Sequence, residues 1–273
     1  MIAATPSPSA PPIDPATVAS FVPRPPVVHF ERILRIQGYS DLSRIRPAIV
    51  KAAQDAAQLA PLLCAPRVAY RHVAIRRLSG DTVDLAGGVR LHCAAFARVL
   101  AGCSEVVPFV LTLGPQLDAR VVDLAGAGDL LDALLLETAA WLCIEDATRQ
   151  FRGHVRDAAA TRDQRTTSRL GPGYSYRIGD STCVWRLEEQ VQLFALFGGA
   201  ELPVVLMESC AMQPKMSRSG MIGIAPADQR GRRVPPAVAE TRAGAARDAA
   251  PSGHRRTRPG TADSAGSTKG VIE

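Results

Sequence analysis

Arg169, Gly171, Pro172, Gly173 and Tyr174 stand within one short run, Arg169-Leu170-Gly171-Pro172-Gly173-Tyr174. Arginine presents a planar fork of donors that suits a carboxylate held by two bonds. Gly171 and Gly173 lack side chains, so a ligand can approach their backbone closely. Pro172 fixes part of a tight turn. Tyr174 adds a ring face and a hydroxyl. A cationic group resting on that face would gain roughly 0.5–2 kcal/mol.

An amino-acid-bearing nucleoside with a sulfonium centre, such as S-adenosylmethionine, would use every one of these features. The same residues also read as a plain Gly-Pro turn between two elements. A second stretch lies about thirty residues on: Leu206-Met207-Glu208-Ser209-Cys210-Ala211-Met212-Gln213-Pro214. Glu208 ends an apolar run, where an acid is either a site residue or simply solvated. Ser209 can orient a ligand or cap a loop.

Other chemistries lack their residues. Gly171 and Gly173 begin a G-x-G, but Tyr176 stands where the third glycine of a dinucleotide fingerprint belongs. No acidic strand precedes a glycine-rich turn, which disfavours a Rossmann-type methyltransferase. P-loop and H-E-x-x-H patterns are absent, and the five histidines show no metal-ligand spacing. Six cysteines (Cys64, Cys93, Cys103, Cys143, Cys183 and Cys210) form no C-x-x-C pair, a pattern that suits reduced thiols in a cytoplasmic protein. Cys183 reads either as a redox thiol or as a small loop residue.

The elements that must position the turn mix helix and strand. Ser40 and Asp41 can cap a helix through about Leu63, with Pro47 a complication. Val68 to Leu78 alternates as one half-buried strand. Leu91 to Leu100 reads as a short helix. Val106 to Leu113 is an apolar run ending at Gly114, as expected of a strand buried on both faces. Asp129 to about Phe151 is amphipathic at helical spacing. Leu187 to Phe197 is a further helix, stopped by Gly198-Gly199. Leu202 to Met207 and Gly220 to Ile224 read as strands. Without regular βαβ spacing, the expectation is an α/β (α+β) single domain whose mixed or antiparallel central sheet is flanked by helices.

Composition sets the limits of that domain. The chain has 273 residues, 47% hydrophobic and only 5% aromatic, so its core must be mainly Ala, Val and Leu. Residues 1–27 read as a flexible Pro/Ala-rich arm, 28–226 as the folded domain, and 227–273 as a disordered basic tail. From Ala225 onward nine Lys plus Arg face five Asp plus Glu, so that segment holds +4 of the net +6. The basic balance therefore does not describe the folded part, and no nucleic-acid partner is expected. Leu130 to Ile144, the most apolar stretch, is broken by Asp132 and Glu137 and is too short to span a bilayer. The first twenty residues hold no Lys or Arg, which argues against a secretory signal.

The two stretches together resemble the activation domain of cobalamin-dependent methionine synthase. Members of that family carry an arginine, two residues, then Pro-Gly-Tyr. A strand close to L-T-E-S-F-A-M-x-P follows, and then S-x-S-G. The counterparts here are Arg169 to Tyr174, Leu206 to Pro214, and Ser217-Arg218-Ser219-Gly220, in the same order and at similar separation. Leu187-Glu188-Glu189-Gln190 is similar to shorter stand-alone relatives. A weaker likeness runs through Thr112-Leu113-Gly114 and the helix from Gly128 to Asp146. The link from Ser175 to Val184 is longer than in the stand-alone relatives.

By that resemblance Arg169 would bind the methionyl carboxylate of S-adenosylmethionine, with Gly171 contacting the ligand through its backbone. Gly173 and Tyr174 would line the same pocket, and Glu208 and Ser209 its adjoining wall. The implied role is a reactivation module, a methyltransferase component acting in trans. It would support reductive remethylation of a corrinoid carried by a separate methionine synthase or related corrinoid methyltransferase. No D-x-H-x-x-G motif is present, so cobalamin would arrive on that partner. A flavodoxin-like or ferredoxin-like electron donor would be a second partner. Methyl transfer from a sulfonium to reduced cobalt needs placement more than acid–base help, so no catalytic residue is expected in this chain. The alternative is a non-catalytic docking subunit of such a system that keeps the fold without the ligand.

Overall fold

A computed structural model describes residues 18–227 together with 241–242. The chain opens with β1 (Ala19–Phe21), α1 (Phe30–Ile36) and α2 (Pro47–Leu63), then β2 (Arg67–Tyr70), β3 (Val73–Ser79), β4 (Thr82–Leu85), β5 (Arg90–His92), α3 (Phe96–Val99) and β6 (Glu105–Thr112). Two helices follow, α4 (Gln116–Gly126) and α5 (Leu130–Ala160). Next come β7 (Gln164–Leu170), β8 (Tyr174–Ile178), β9 (Ser181–Val184), α6 (Gln190–Ala195), β10 (Val205–Leu206), β11 (Met212–Gln213), β12 (Ser217–Pro226) and β13 (Thr241–Arg242).

β6 is the spine of the sheet. On one edge it pairs along its length with β12, which pairs in turn with β7. On the other edge it meets β2 and then β3, and β1 extends β2. β4 and β5 continue outward from β3. All these pairings are antiparallel. The architecture is an α/β domain with a curled antiparallel sheet flanked by helices, as the sequence led us to expect.

Between Glu105 and Thr112 β6 is apolar because both of its faces are covered. Val107, Phe109, Leu111 and, just beyond the strand, Leu113 turn to a core shared with α1, α2, α4 and α5. Val106 turns to a second core, with Leu170, Tyr176, Trp185, Leu193 and Met221. The turn carrying the candidate residues sits over this second core.

Several elements differ from their sequence reading, each for a local reason. Pro47 does not interrupt a helix begun at Asp41. It starts α2 at the N1 position, where its missing N–H costs nothing, and Asp41 caps a separate 3-10 turn (Leu42–Arg44). The expected Val68–Leu78 strand is two strands. Pro108 accepts from the Arg71 N–H on that edge but has no N–H to return, so the ladder breaks there. Leu91 belongs to β5, paired with Val83, and only Phe96–Val99 is helical. Helix α5 runs on to Ala160 because Phe151, Val155 and Ala159 continue the buried stripe. Within the stretch read as a flexible arm, Ala19–Phe21 pair with β2, and residues 1–17 lie outside the described residues. Of the segment read as a disordered tail, Ala227 and β13 are described and the rest lies outside.

Candidate functional site

Arg169 is the next-to-last residue of β7, registered opposite Ile222 of β12. Gly171, Pro172 and Gly173 then turn the chain into β8, which opens at Tyr174. Gly173 adopts φ +81°, a conformation that glycine takes without steric cost. Its N–H donates to the Trp185 carbonyl at 2.7 Å, and the Trp185 N–H donates back to the Tyr174 carbonyl at 3.0 Å. The β8–β9 hairpin, which contains the long Ser175–Val184 link, is thus tied to the turn.

The Arg169 side chain is only 3% exposed and lies over the Tyr174 ring, with Cζ 4.4 Å from the ring centre. Gly171 makes that stacking possible. A Cβ there would stand 2.6 Å from Arg169 Nη1, 3.1 Å from the Ser219 carbonyl and 3.2 Å from the Tyr174 ring. Arg169, Gly171, Gly173 and Tyr174 therefore form one cluster. One face of the phenol, offered by the sequence to a sulfonium, is covered by the guanidinium.

Tyr176 is the residue that sequence reasoning passed over. Fully buried, its hydroxyl accepts from the Gly171 N–H at 2.6 Å and donates to the Gly171 carbonyl at 3.0 Å. The backbone of Gly171, expected to face a ligand, is held by this hydroxyl. The signal was Tyr176 itself: two residues beyond Tyr174 in a strand, it shares the face of Tyr174, and both pack in the second core.

Glu208 and Ser209 lie exposed at the tip of the β10–β11 hairpin. Cys210 holds φ +61° at this tip, and the Ala211 N–H donates to the Ser209 hydroxyl at 3.4 Å. Gln190 links the two regions. It is 2% exposed; its Nε2 donates to the Cys210 carbonyl at 2.9 Å, and its Oε1 accepts from the Ser219 hydroxyl at 3.0 Å. Ser219 is also the residue whose carbonyl abuts Gly171. A glutamine on the buried side of α6 was the available clue, visible in Leu187-Glu188-Glu189-Gln190. Arg218, beside Ser219, crosses to α5 and donates to Glu145 at 2.5 Å and to Thr148 at 3.1 Å.

Trp185 is a core anchor, edge-on to Phe96 with ring centres 5.1 Å apart. Cys183 adjoins Cys93, whose thiol is pushed up to about 12, chiefly by burial. The backbone of β13 runs beside Tyr174 and Ser175, bringing part of the C-terminal segment to this edge of β8. Among the described residues no group of three or more His, Cys, Asp or Glu could hold a metal ion, and no helix is long and apolar enough to cross a membrane.

Fold and cluster together define an α/β domain with an arginine-over-tyrosine turn at the edge of an antiparallel sheet. No protein-family model matches the chain, and no curated protein matches it. Among solved structures it is similar to one described as the crystal structure of the MetH reactivation domain bound to AdoHcy. That structure shares 15% identity over 81% of this chain and 82% of the other, with a TM-score of 0.49.

Proposed function

We propose that the chain binds S-adenosylmethionine and serves as a reactivation module for a corrinoid carried by a separate methionine synthase or related methyltransferase. The observation that carries this reading is the buried Arg169 guanidinium, held over Tyr174 at the mouth of a Gly-Pro-Gly turn. It is supported by the sequence resemblance of Arg169–Tyr174, Leu206–Pro214 and Ser217–Gly220 to the activation-domain family. A guanidinium fixed by stacking loses little freedom when it grips a carboxylate. In this reading Arg169 is the group that would meet the amino-acid end of the ligand. Once bound, S-adenosylmethionine would supply an activated methyl group.

The chain's own part is recognition and placement. Arg169 takes the methionyl carboxylate, Tyr174 holds the guanidinium in position by stacking, and Gly173 sets the direction in which β8 leaves the turn. Glu208 and Ser209 form an outer wall, joined to the turn through Gln190 and Ser219. The partners in this reading are a corrinoid-bearing protein and a flavodoxin-like or ferredoxin-like reductant.

One observation favours the rival reading of a docking subunit without ligand. Tyr176 occupies both hydrogen-bonding groups of Gly171, which leaves that backbone with less to offer a ligand. Calorimetric titration of the full chain with S-adenosylmethionine separates the two. Saturable binding, lost in a folded Arg169→Ala variant, is the expected result. No heat from the wild-type chain would leave the docking reading in its place.

A further inference from the structure

Between α5 and the sheet edge lies a cavity of about 340 Å3, lined by Arg149, Arg152, Gly153, Arg156, Thr166 and Thr167. The three arginines fall at i, i+3 and i+7 and so share one face of the helix. No carboxylate lines the space. Arg149 pairs with Asp146 and Arg156 with Asp157, but both arginines are exposed, so these pairs contribute little and can be exchanged for a ligand's charge. Arg152 forms no ion pair among the described residues.

The cavity lies where the ladder between β7 and β12 is irregular. The β7–β12 register shifts between Ile222 and Ile224, and the Gly223 N–H turns to the Thr167 hydroxyl at 2.9 Å. Thr167 and Ile222, which stand at that irregularity, both line the cavity. Thr166, beside it, has a hydroxyl that makes no hydrogen bond among the described residues.

Gly153 supplies an independent argument. It stands inside a 31-residue helix, where glycine is unfavourable relative to alanine. No packing accounts for it, because a Cβ there would meet nothing within 4 Å. A bare backbone on the cavity floor, between arginines on either side, is what a closely approaching ligand would require.

We propose that this cavity binds the phosphate chain of a small molecule, either free pyrophosphate or a nucleotide. Three guanidinium forks around one hollow match clustered phosphate oxygens better than a single carboxylate. Its size falls in the range of small-molecule sites, about 300–1,000 Å3. No aromatic ring lines it, so it lacks the stacking platform of a single-strand nucleic-acid site. The proposal is independent of S-adenosylmethionine binding at Arg169.

The test is calorimetry on the full chain at low salt, with pyrophosphate and ATP as separate titrants. Arg152→Ala and Gly153→Leu are the variants, with circular dichroism confirming that both fold. Saturable one-to-one binding should weaken at least about tenfold in each variant. Binding of both titrants assigns recognition to phosphate alone; binding of ATP only, still sensitive to both variants, assigns a nucleotide. Failure of both titrants to bind overturns the proposal. So do affinities unchanged in the two variants, or tighter binding of a single-stranded oligonucleotide that Arg152→Ala abolishes.

Discussion

At the scale of single residues, the candidate site depends on one buried hydroxyl. Tyr176 satisfies the Gly171 N–H and carbonyl together, which keeps the turn closed against Ser219 and lets Arg169 lie over Tyr174. Tyr176→Phe removes that partner while preserving the ring. It should cost about 1–3 kcal/mol, the penalty for leaving buried polar groups unpaired. Urea denaturation of the two proteins checks this value. Gly171→Ala acts by a different route. The added methyl would collide with Arg169 Nη1, the Ser219 carbonyl and the Tyr174 ring. We expect a loss of about 1–3 kcal/mol from overpacking, together with loss of S-adenosylmethionine binding. If Gly171→Ala bound the ligand as the wild type does, the stacked guanidinium would have no part in recognition. Arg169, Gly171, Gly173 and Tyr174 were legible in the sequence because turn chemistry is local. Tyr176 was not, because its hydroxyl folds back on the backbone of the turn before its own strand, and Gln190 was not, because Cys210 and Ser219 are distant in the chain.

At the scale of elements, patterns that rest on periodicity survived best. The β6 strand, the amphipathic half of α5 and the β12 strand were all readable from runs of apolar residues. What failed was continuity. The break between β2 and β3 is caused by Pro108 on the neighbouring strand, so nothing within residues 68–78 announces it. The hairpin of β4 and β5 was hidden because Leu91 fits a helical face and a strand equally well. The last turns of α5 were obscured by arginines and by Gly153. That glycine yields a test at this scale. Gly153→Ala should raise stability by up to about 1 kcal/mol, since alanine favours the helix and meets no neighbour. The same substitution should weaken phosphate binding in the cavity. A thermal melt with and without pyrophosphate reads both effects: the unliganded midpoint rises, and the ligand-induced shift shrinks.

At the scale of the whole molecule, the sheet divides the interior into helix-side and hairpin-side cores, and cysteines occupy both. Cys143 lies in the first; its thiol is pushed up by a hydrogen bond with Cys64 and by burial. Cys93 lies in the second, pushed up to about 12, and Cys103 packs against it, pushed up to about 11, both chiefly by burial. The unfolded chain would return these thiols to their ordinary value of 9.0. Below that pH both states keep the protons, so the thiols impose no pH dependence. Above it the unfolded chain loses protons that the folded chain still holds, and stability falls. The decline begins near 9.0 and continues through about 11 for Cys103 and about 12 for Cys93. Urea midpoints measured at intervals from neutral pH upward should stay level and then drop in that window. A Cys93→Ala, Cys103→Ala double variant should drop less steeply, which separates the thiols from lysine and tyrosine titration over the same range. Equal slopes for the two proteins would mean that these thiols ionise as freely in the folded chain as in the unfolded one.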